Sequence, residues 1–323
     1  MPKTSPPQRT PERATHPSAE QVLKRLEWTV IRRLDGLLQG DYRTLFRGVG
    51  LDLADLREYQ HHDDVRHIDW NVTARLTTPY VREFHEDRDI NAWFLLDLSG
   101  SVDFGSGETS KRSMSAEFVA VLARLLTRHG NRVGALMYGT GVDTMIPARG
   151  GRRHVLELVH RMLQRPAVKP SKGTQLSELL LGALNAVPRR SAVFVVSDFI
   201  TSPGWEAPLA RLALRHDVLA VRLYDPLEME LPDLGLVPIL DAETGEQIFV
   251  DTHDRGFRRR FAEGAIKREA ALREAFVRAG VDTLELATDD NLVEALMRFS
   301  DLRKRRSRLS GGGPALPAHL ELQ

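Results

Sequence analysis

The sequence predicts an α/β fold, a doubly wound and mostly parallel sheet with helices on both faces. Three observations lead there. The run Ala92-Trp93-Phe94-Leu95-Leu96 is continuously apolar and stops at Asp97, as a parallel strand covered on both faces does. A second run, Ala192-Val193-Phe194-Val195-Val196, stops in the same way at Ser197-Asp198. Segments of helical period alternate with such runs from Ile90 to the basic stretch Arg303-Lys304-Arg305-Arg306, the rhythm of a parallel sheet with crossover helices.

Composition sets the bounds. The chain has 323 residues, 45 Lys plus Arg against 44 Asp plus Glu, and no cysteine. Its length holds one large domain with appendages or two modest domains. The balanced charge gives no reason to expect nucleic-acid binding. Without cysteine there are no disulfides, thiolate zinc sites or cysteine nucleophiles, which suits the cytoplasm. No run approaches the roughly 18 apolar residues of a membrane span. Residues 1–18, rich in Pro, Thr and charge, are expected to form a disordered tail without the apolar core of a signal peptide.

In chain order, Val22, Leu23, Leu26, Val30, Ile31, Leu34, Leu37 and Leu38 recur at helical spacing and predict an amphipathic helix ending near Gly40. Residues 48–86 interleave charged and aromatic side chains so densely that no period survives. Arg57, Arg66, Arg75 and Arg82 set against Asp63, Asp64, Asp69, Glu83 and Glu86 predict an irregular, ion-paired segment, followed by a strand at 80–84. The cluster His61-His62-Asp63-Asp64, with His67 and Asp69, offers metal-ligand chemistry. Adjacent histidines point apart, however, and structural ion pairs are the preferred reading.

After the strand at 90–97 a polar loop leads to a helix at 110–129 whose core face is Met114, Phe118, Val121, Leu122 and Leu125. Lys111, near its start, reads as a solvated side chain, with a place beside the loop after Asp97 as the alternative. Strands follow at 133–138 and 144–147, the second an edge because of Pro147. Arg149-Gly150-Gly151-Arg152-Arg153 opens the next helix without the lysine-serine pattern of a P-loop, so nucleotide binding is not expected there. The loop Lys172-Gly173-Thr174-Gln175 opens a helix carrying Leu176, Leu179, Leu180 and Leu184. Beyond Asp198 come a helix at 205–215, a strand at 217–224, and a β-hairpin near 235–251 placed in the sheet or at its edge. A charged helix at 254–279, a strand at 282–286 and a helix at 292–303 complete the order, and residues 307–323 read as a flexible tail.

Chemistry concentrates where strands end. Asp97, Ser99 and Ser101 put three small oxygen ligands within five residues, a set that suits a hard divalent cation such as magnesium. An ordinary strand-to-helix turn with a capping serine is the plainer alternative. Asp-x-Ser-x-Ser after one strand, a loop threonine and an aspartate after another strand together resemble the metal-ion-dependent adhesion site of von Willebrand factor A domains. The resemblance implies a von Willebrand A-like fold over residues 90–306 and a magnesium held by Asp97, Ser99, Ser101, Thr174 and Asp198. Manganese or calcium would substitute, and one position would stay open for a partner's acidic side chain.

The segment before it carries a second resemblance. Arg57, Tyr59, Asp63, Asp64, Arg66, Ile68, Asp69, Trp70, Ala74, Arg75, Val81, Arg82, Phe84 and Glu86 match the signature of the DUF58 family, whose members join this segment to a von Willebrand A-like domain. Residues 19–89 would then be an N-terminal helix plus the DUF58 segment. Two departures stand out: His61-His62 replaces a glycine usual nearby, and the membrane-spanning hairpin common upstream in many members is missing. The second suggests a soluble variant. The resemblance implies a non-catalytic module that works with a MoxR-type AAA+ ATPase on a client protein offering an acidic side chain.

A metal-dependent hydrolase using Asp97 is the alternative. A haloacid-dehalogenase-like phosphatase wants an aspartate at position 99, where serine stands, and the sequence around Ser99 lacks the Gly-x-Ser-x-Gly spacing of a serine hydrolase.

Overall fold

The computed structural model describes residues 18–31, 34, 55–60, 68, 70–76, 78–83, 91–166, 173–240 and 247–309. Its centre is a six-stranded sheet built from β3 (Asn91–Asp97), β4 (Arg132–Tyr138), β5 (Val142–Arg149), β6 (Ala192–Ser197), β7 (Asp217–Tyr224) and β10 (Asp282–Ala287). The spatial order is β10-β7-β6-β3-β4-β5. All neighbours are parallel except β5, which runs antiparallel to β4 at the edge. The mostly parallel, doubly wound architecture expected from the sequence is therefore present.

Alternation along the central strand assigns the two faces. Ala92, Phe94 and Leu96 of β3 join one core cluster, and Trp93 and Leu95 join the other. The first cluster is completed by α3 (Lys111–Arg128), α4 (Arg152–Leu163) and α8 (Leu292–Leu309). The second is completed by α5 (Leu176–Ala186), α6 (Glu206–Arg215) and α7 (Arg255–Ala279). A strand buried on both sides has no polar face, which is why β3 and β6 read as continuous apolar runs. Phe94 stacks on Phe194 across the β3–β6 pair with ring centroids 5.1 Å apart.

The N-terminal helix α1 (Ala19–Leu26) passes into a π-helical turn, Glu27–Ile31, and Leu34 beyond it is again helical. Ser18 belongs to the helix as its cap rather than to a tail: its hydroxyl accepts from the Gln21 amide and the Gln21 side chain accepts from the Ser18 amide. Val22, Leu23 and Leu26 bury against the α3–α4 side of the core. Residues 1–17 and 35–40 lie outside the described residues.

The segment read as irregular contains regular structure. Strand β1 (Asp55–Glu58) pairs antiparallel with β2 (Tyr80–Glu83), and α2 (Trp70–Leu76) lies between them. The Tyr80 amide donates to the Thr73 hydroxyl at 3.1 Å and ties α2 to β2. The ion pairs expected of Arg57, Arg66, Arg75, Arg82 and their acidic partners rest on side chains outside the described residues, as does the His61-His62 cluster.

The hairpin β8 (Leu236–Leu240) and β9 (Gln247–Asp251) forms its own two-stranded sheet instead of joining the main one. Parallel pairing of β10 with β7 takes the place beside β7, so the hairpin stands off the sheet. Among the described residues no helix is long and apolar enough to cross a membrane.

Candidate metal centre

The winding of the sheet reverses between β3 and β6: the chain builds β4 and β5 on one side of β3, and β6, β7 and β10 on the other. Such a switch point opens a crevice at the carboxyl ends of the two central strands. Asp97 ends β3, Ser197 ends β6, and Asp198 follows it directly. Leu96 pairs with Val196, so the next residues, Asp97 and Ser197, lie side by side.

Asp97 is fully buried. Its Oδ1 accepts from the Ser99 amide at 3.0 Å and its Oδ2 from the Ser197 hydroxyl at 2.6 Å. A 3₁₀ turn at Gly100–Asp103 folds the chain back, and the hydroxyls of Ser99 and Ser101 approach to 3.2 Å. Asp198 turns toward the same crevice through Phe199, whose φ of 58° is the positive value rarely adopted by a residue with a Cβ. That turn lets the Ile200 amide donate to Asp198 Oδ1 at 3.0 Å.

Thr174 comes from a third loop. Its carbonyl accepts from the Ser202 amide at 2.9 Å and from the Thr201 hydroxyl at 2.8 Å. The Thr201 hydroxyl also accepts from the Leu176 amide, at 2.9 Å, and so stitches the start of α5 to the loop after β6. On the far side, the Gln175 amide donates to the Tyr138 hydroxyl at the end of β4. All five residues singled out in the sequence are buried near the carboxyl edge of the sheet: Asp97 at the end of β3, Ser101 in the 3₁₀ turn, and Ser99, Thr174 and Asp198 in loops.

Electrostatics concentrate negative charge in the crevice, part of it met by the buried ammonium of Lys111. Burial pushes the Asp97 carboxyl up from 3.8 to about 6, Asp198 adds to the rise, and the bonds from Ser197 and Ser99 oppose it. Two neighbouring buried carboxylates are costly unless positive charge offsets them. The donors are hard oxygens, and among the described residues no three His, Cys, Asp or Glu cluster into a cage. Carboxylate plus hydroxyl ligation with remaining positions left to water fits magnesium; the residues present fit that ion.

The sequence underrated Lys111. It is not solvated but fully buried, with Nζ 2.7 Å from Asp198 Oδ2 and 2.6 Å from Glu228 Oε1. Burial works against its charge, yet Asp198 and Glu228 outweigh that cost and its pKa is raised. Ser197 was also passed over, although its place directly before Asp198 on a buried strand was visible. Glu228 belongs to a turn after β7 in which its other oxygen accepts from the Asp225 amide. The buried Asp225 in turn accepts from Ser106, Leu227 and Thr288. Burial opposes the Asp225 charge, but these donors prevail and lower its pKa.

The fold and the crevice together define an α/β domain with a carboxylate–hydroxyl loop site at its switch point. The family model described as protein of unknown function DUF58 matches residues 55–271, and the chain belongs to that family. An uncharacterized protein of Mycobacterium tuberculosis is 37% identical over 299 residues, covering 91% of this chain and 92% of that one. A Mycobacterium avium protein, also uncharacterized, is 33% identical over 168 residues, 52% of this chain and 98% of its own. Among solved structures, an aerotolerance-related membrane protein from Bacteroides fragilis aligns at 14% identity over 67% of this chain and 99% of its own, with a TM-score of 0.43. The SpRpn10 VWA domain aligns at 12% identity over 65% of this chain and 94% of its own, with a TM-score of 0.36. Likenesses of that strength carry no functional inference.

Proposed function

We propose that this chain is a non-catalytic, metal-dependent protein-binding module. Asp97, Ser99, Ser101, Thr174 and Asp198 would hold a magnesium ion, and a partner's Asp or Glu would complete its shell. The observation that carries this reading is Asp97 itself, a fully buried carboxylate at the switch point with a second carboxylate as neighbour and two hydroxyls beside it. The resemblance of the signature segment supports a MoxR-type AAA+ ATPase as the working partner, in the assembly or maturation of a client complex.

Thermal unfolding in magnesium and in EDTA tests the metal. Magnesium at about 100 times its Kd adds roughly 2.7 kcal/mol to the wild type, and Asp97→Ala abolishes the gain. Affinity capture under the same conditions tests recognition. An AAA+ ATPase and an acidic client retained in magnesium but lost in EDTA and with Asp97→Ala support the proposal. Partners that persist in all three conditions, or phosphatase or esterase turnover lost with Asp97→Ala, would overturn it.

A further inference from the structure

Lys111 occupies the crevice from the α3 side. It is the first residue of α3, and Ser110 caps that helix by accepting from the Ser113 amide. The ammonium bridges two carboxylates from different loops, Asp198 after β6 and Glu228 after β7. The Phe104 ring, whose centroid is 5.9 Å from Nζ, roofs it. Glu228 is fixed in turn by the Asp225 amide, and Asp225 by Ser106, Leu227 and Thr288. The ammonium is thus locked in place by a network running across three strand ends.

Charge arithmetic gives this lock a meaning. Asp97, Asp198 and Glu228 set three carboxylates against the one ammonium of Lys111. The remainder is two negative charges, the complement of one divalent cation. Without Lys111 the same ion would be over-neutralised and would attract a further carboxylate weakly. With it, Asp198 is already committed through Oδ2 to an ammonium and through Oδ1 to the Ile200 amide.

We propose that Lys111 is a positioning residue that serves as the site's resident counter-cation. It competes with the metal for Asp198, so the ion would lean chiefly on Asp97 and the hydroxyls, and a partner's carboxylate would meet one negative charge fewer around it. This rests on the metal-binding reading above and goes further by naming what sets the metal's affinity. Lys111 trades tight metal binding for strong capture of an acidic partner.

Titrating Mn²⁺ alone into the full chain at neutral pH, by calorimetry, tests the proposal. Lys111→Met and Lys111→Gln should bind Mn²⁺ roughly tenfold tighter or more, because the competing cation is gone. A merely structural role predicts the reverse, since a damaged site binds worse. Folded variants with wild-type or weaker affinity overturn the proposal. If the wild type binds no Mn²⁺ while Lys111→Met does, the metal-dependent module is refuted as a description of the native chain, yet the counter-cation role stands. If neither binds, both fail. Should both variants unfold in EDTA, refolding from urea only when Mn²⁺ is present supports the role, and failure to refold with Mn²⁺ overturns it.

Discussion

The Ser197 hydroxyl donates to Asp97 Oδ2 at 2.6 Å, joining the last residues of two neighbouring parallel strands. The Ser197 Oγ also accepts from the Phe199 amide at 2.9 Å, so one side chain fixes both the carboxylate and the turn after Asp198. A hydrogen bond to a buried charged group contributes about 2 kcal/mol. Ser197→Ala should therefore destabilise the chain by that amount at neutral pH in EDTA, measured by urea unfolding, and weaken magnesium binding in parallel. A variant as stable as the wild type would mean that Asp97 finds another donor.

The pH dependence follows from Asp97. In the folded chain its carboxyl titrates near 6, against 3.8 ordinarily, through burial first and Asp198 second. Between those values the folded state holds a proton that the unfolded chain has lost. The contribution to stability is thus complete below about pH 4 and is lost as pH rises to about 6, on the order of 3 kcal/mol. Lys111, bonded to Asp198, moderates the repulsion but does not touch Asp97. In EDTA, Asp97→Asn should gain on the wild type across that window and hold its advantage above it. With magnesium the sign reverses: protonation competes with the ion, and wild-type affinity falls as pH drops through about 6. Parallel stability profiles of wild type and variant would sink this account.

Phe199 combines a strained backbone with a packed ring. Its φ is 58°, while the ring lies 4.9 Å from Phe276 and 5.4 Å from Trp205, centroid to centroid. Removing the ring costs about 3–5 kcal/mol in a core of this kind. Glycine adopts positive φ freely, whereas alanine does so at a cost of about 1 kcal/mol. Phe199→Gly should accordingly be the more stable of the two truncations by about that amount, the opposite of the usual order in a regular element. Chemical denaturation of both variants decides it.

What the sequence could and could not disclose follows from how far apart the interacting residues lie. The strands β3 and β6 were legible because burial on both faces leaves only apolar residues; Asp97 and Asp198 stood out as the acids that follow those runs, and Ser99 and Ser101 as near neighbours of Asp97. Thr174 was legible only through its order relative to those motifs. Lys111 was not: its burial depends on Asp198 and Glu228, 87 and 117 residues further along the chain. No local pattern encodes that. Helix α2 was hidden because it has only 7 residues, too few for a helical period to be read. The hairpin at β8 and β9 showed its turn and its alternation, but its separation from the sheet is decided by β10 pairing with β7.

Gly134 offers a test of the antiparallel edge on which the site's flank is built. It sits inside β4, where the register to β5 shifts between Val133 and Ala135. A Cβ added there would meet the Ala148 amide nitrogen, the Ile146 carbonyl oxygen and Trp93 Cε3, each at 3.0 Å. Two of these are backbone atoms of β5 and cannot swing aside, and the buried Trp93 is the register partner of Gly134 on β3. Gly134→Ala should overpack the β4–β5 pair and cost about 1–3 kcal/mol. Gly107 serves as the control, because nothing lies within 4 Å of its added Cβ. Gly107→Ala should stay within about 0.5 kcal/mol of the wild type. Hydrogen exchange should place the loss for Gly134→Ala in the β5 amides first, since that strand is an edge and holds only one neighbour. A Gly134→Ala variant as stable as the Gly107→Ala control would show that β5 shifts outward without penalty.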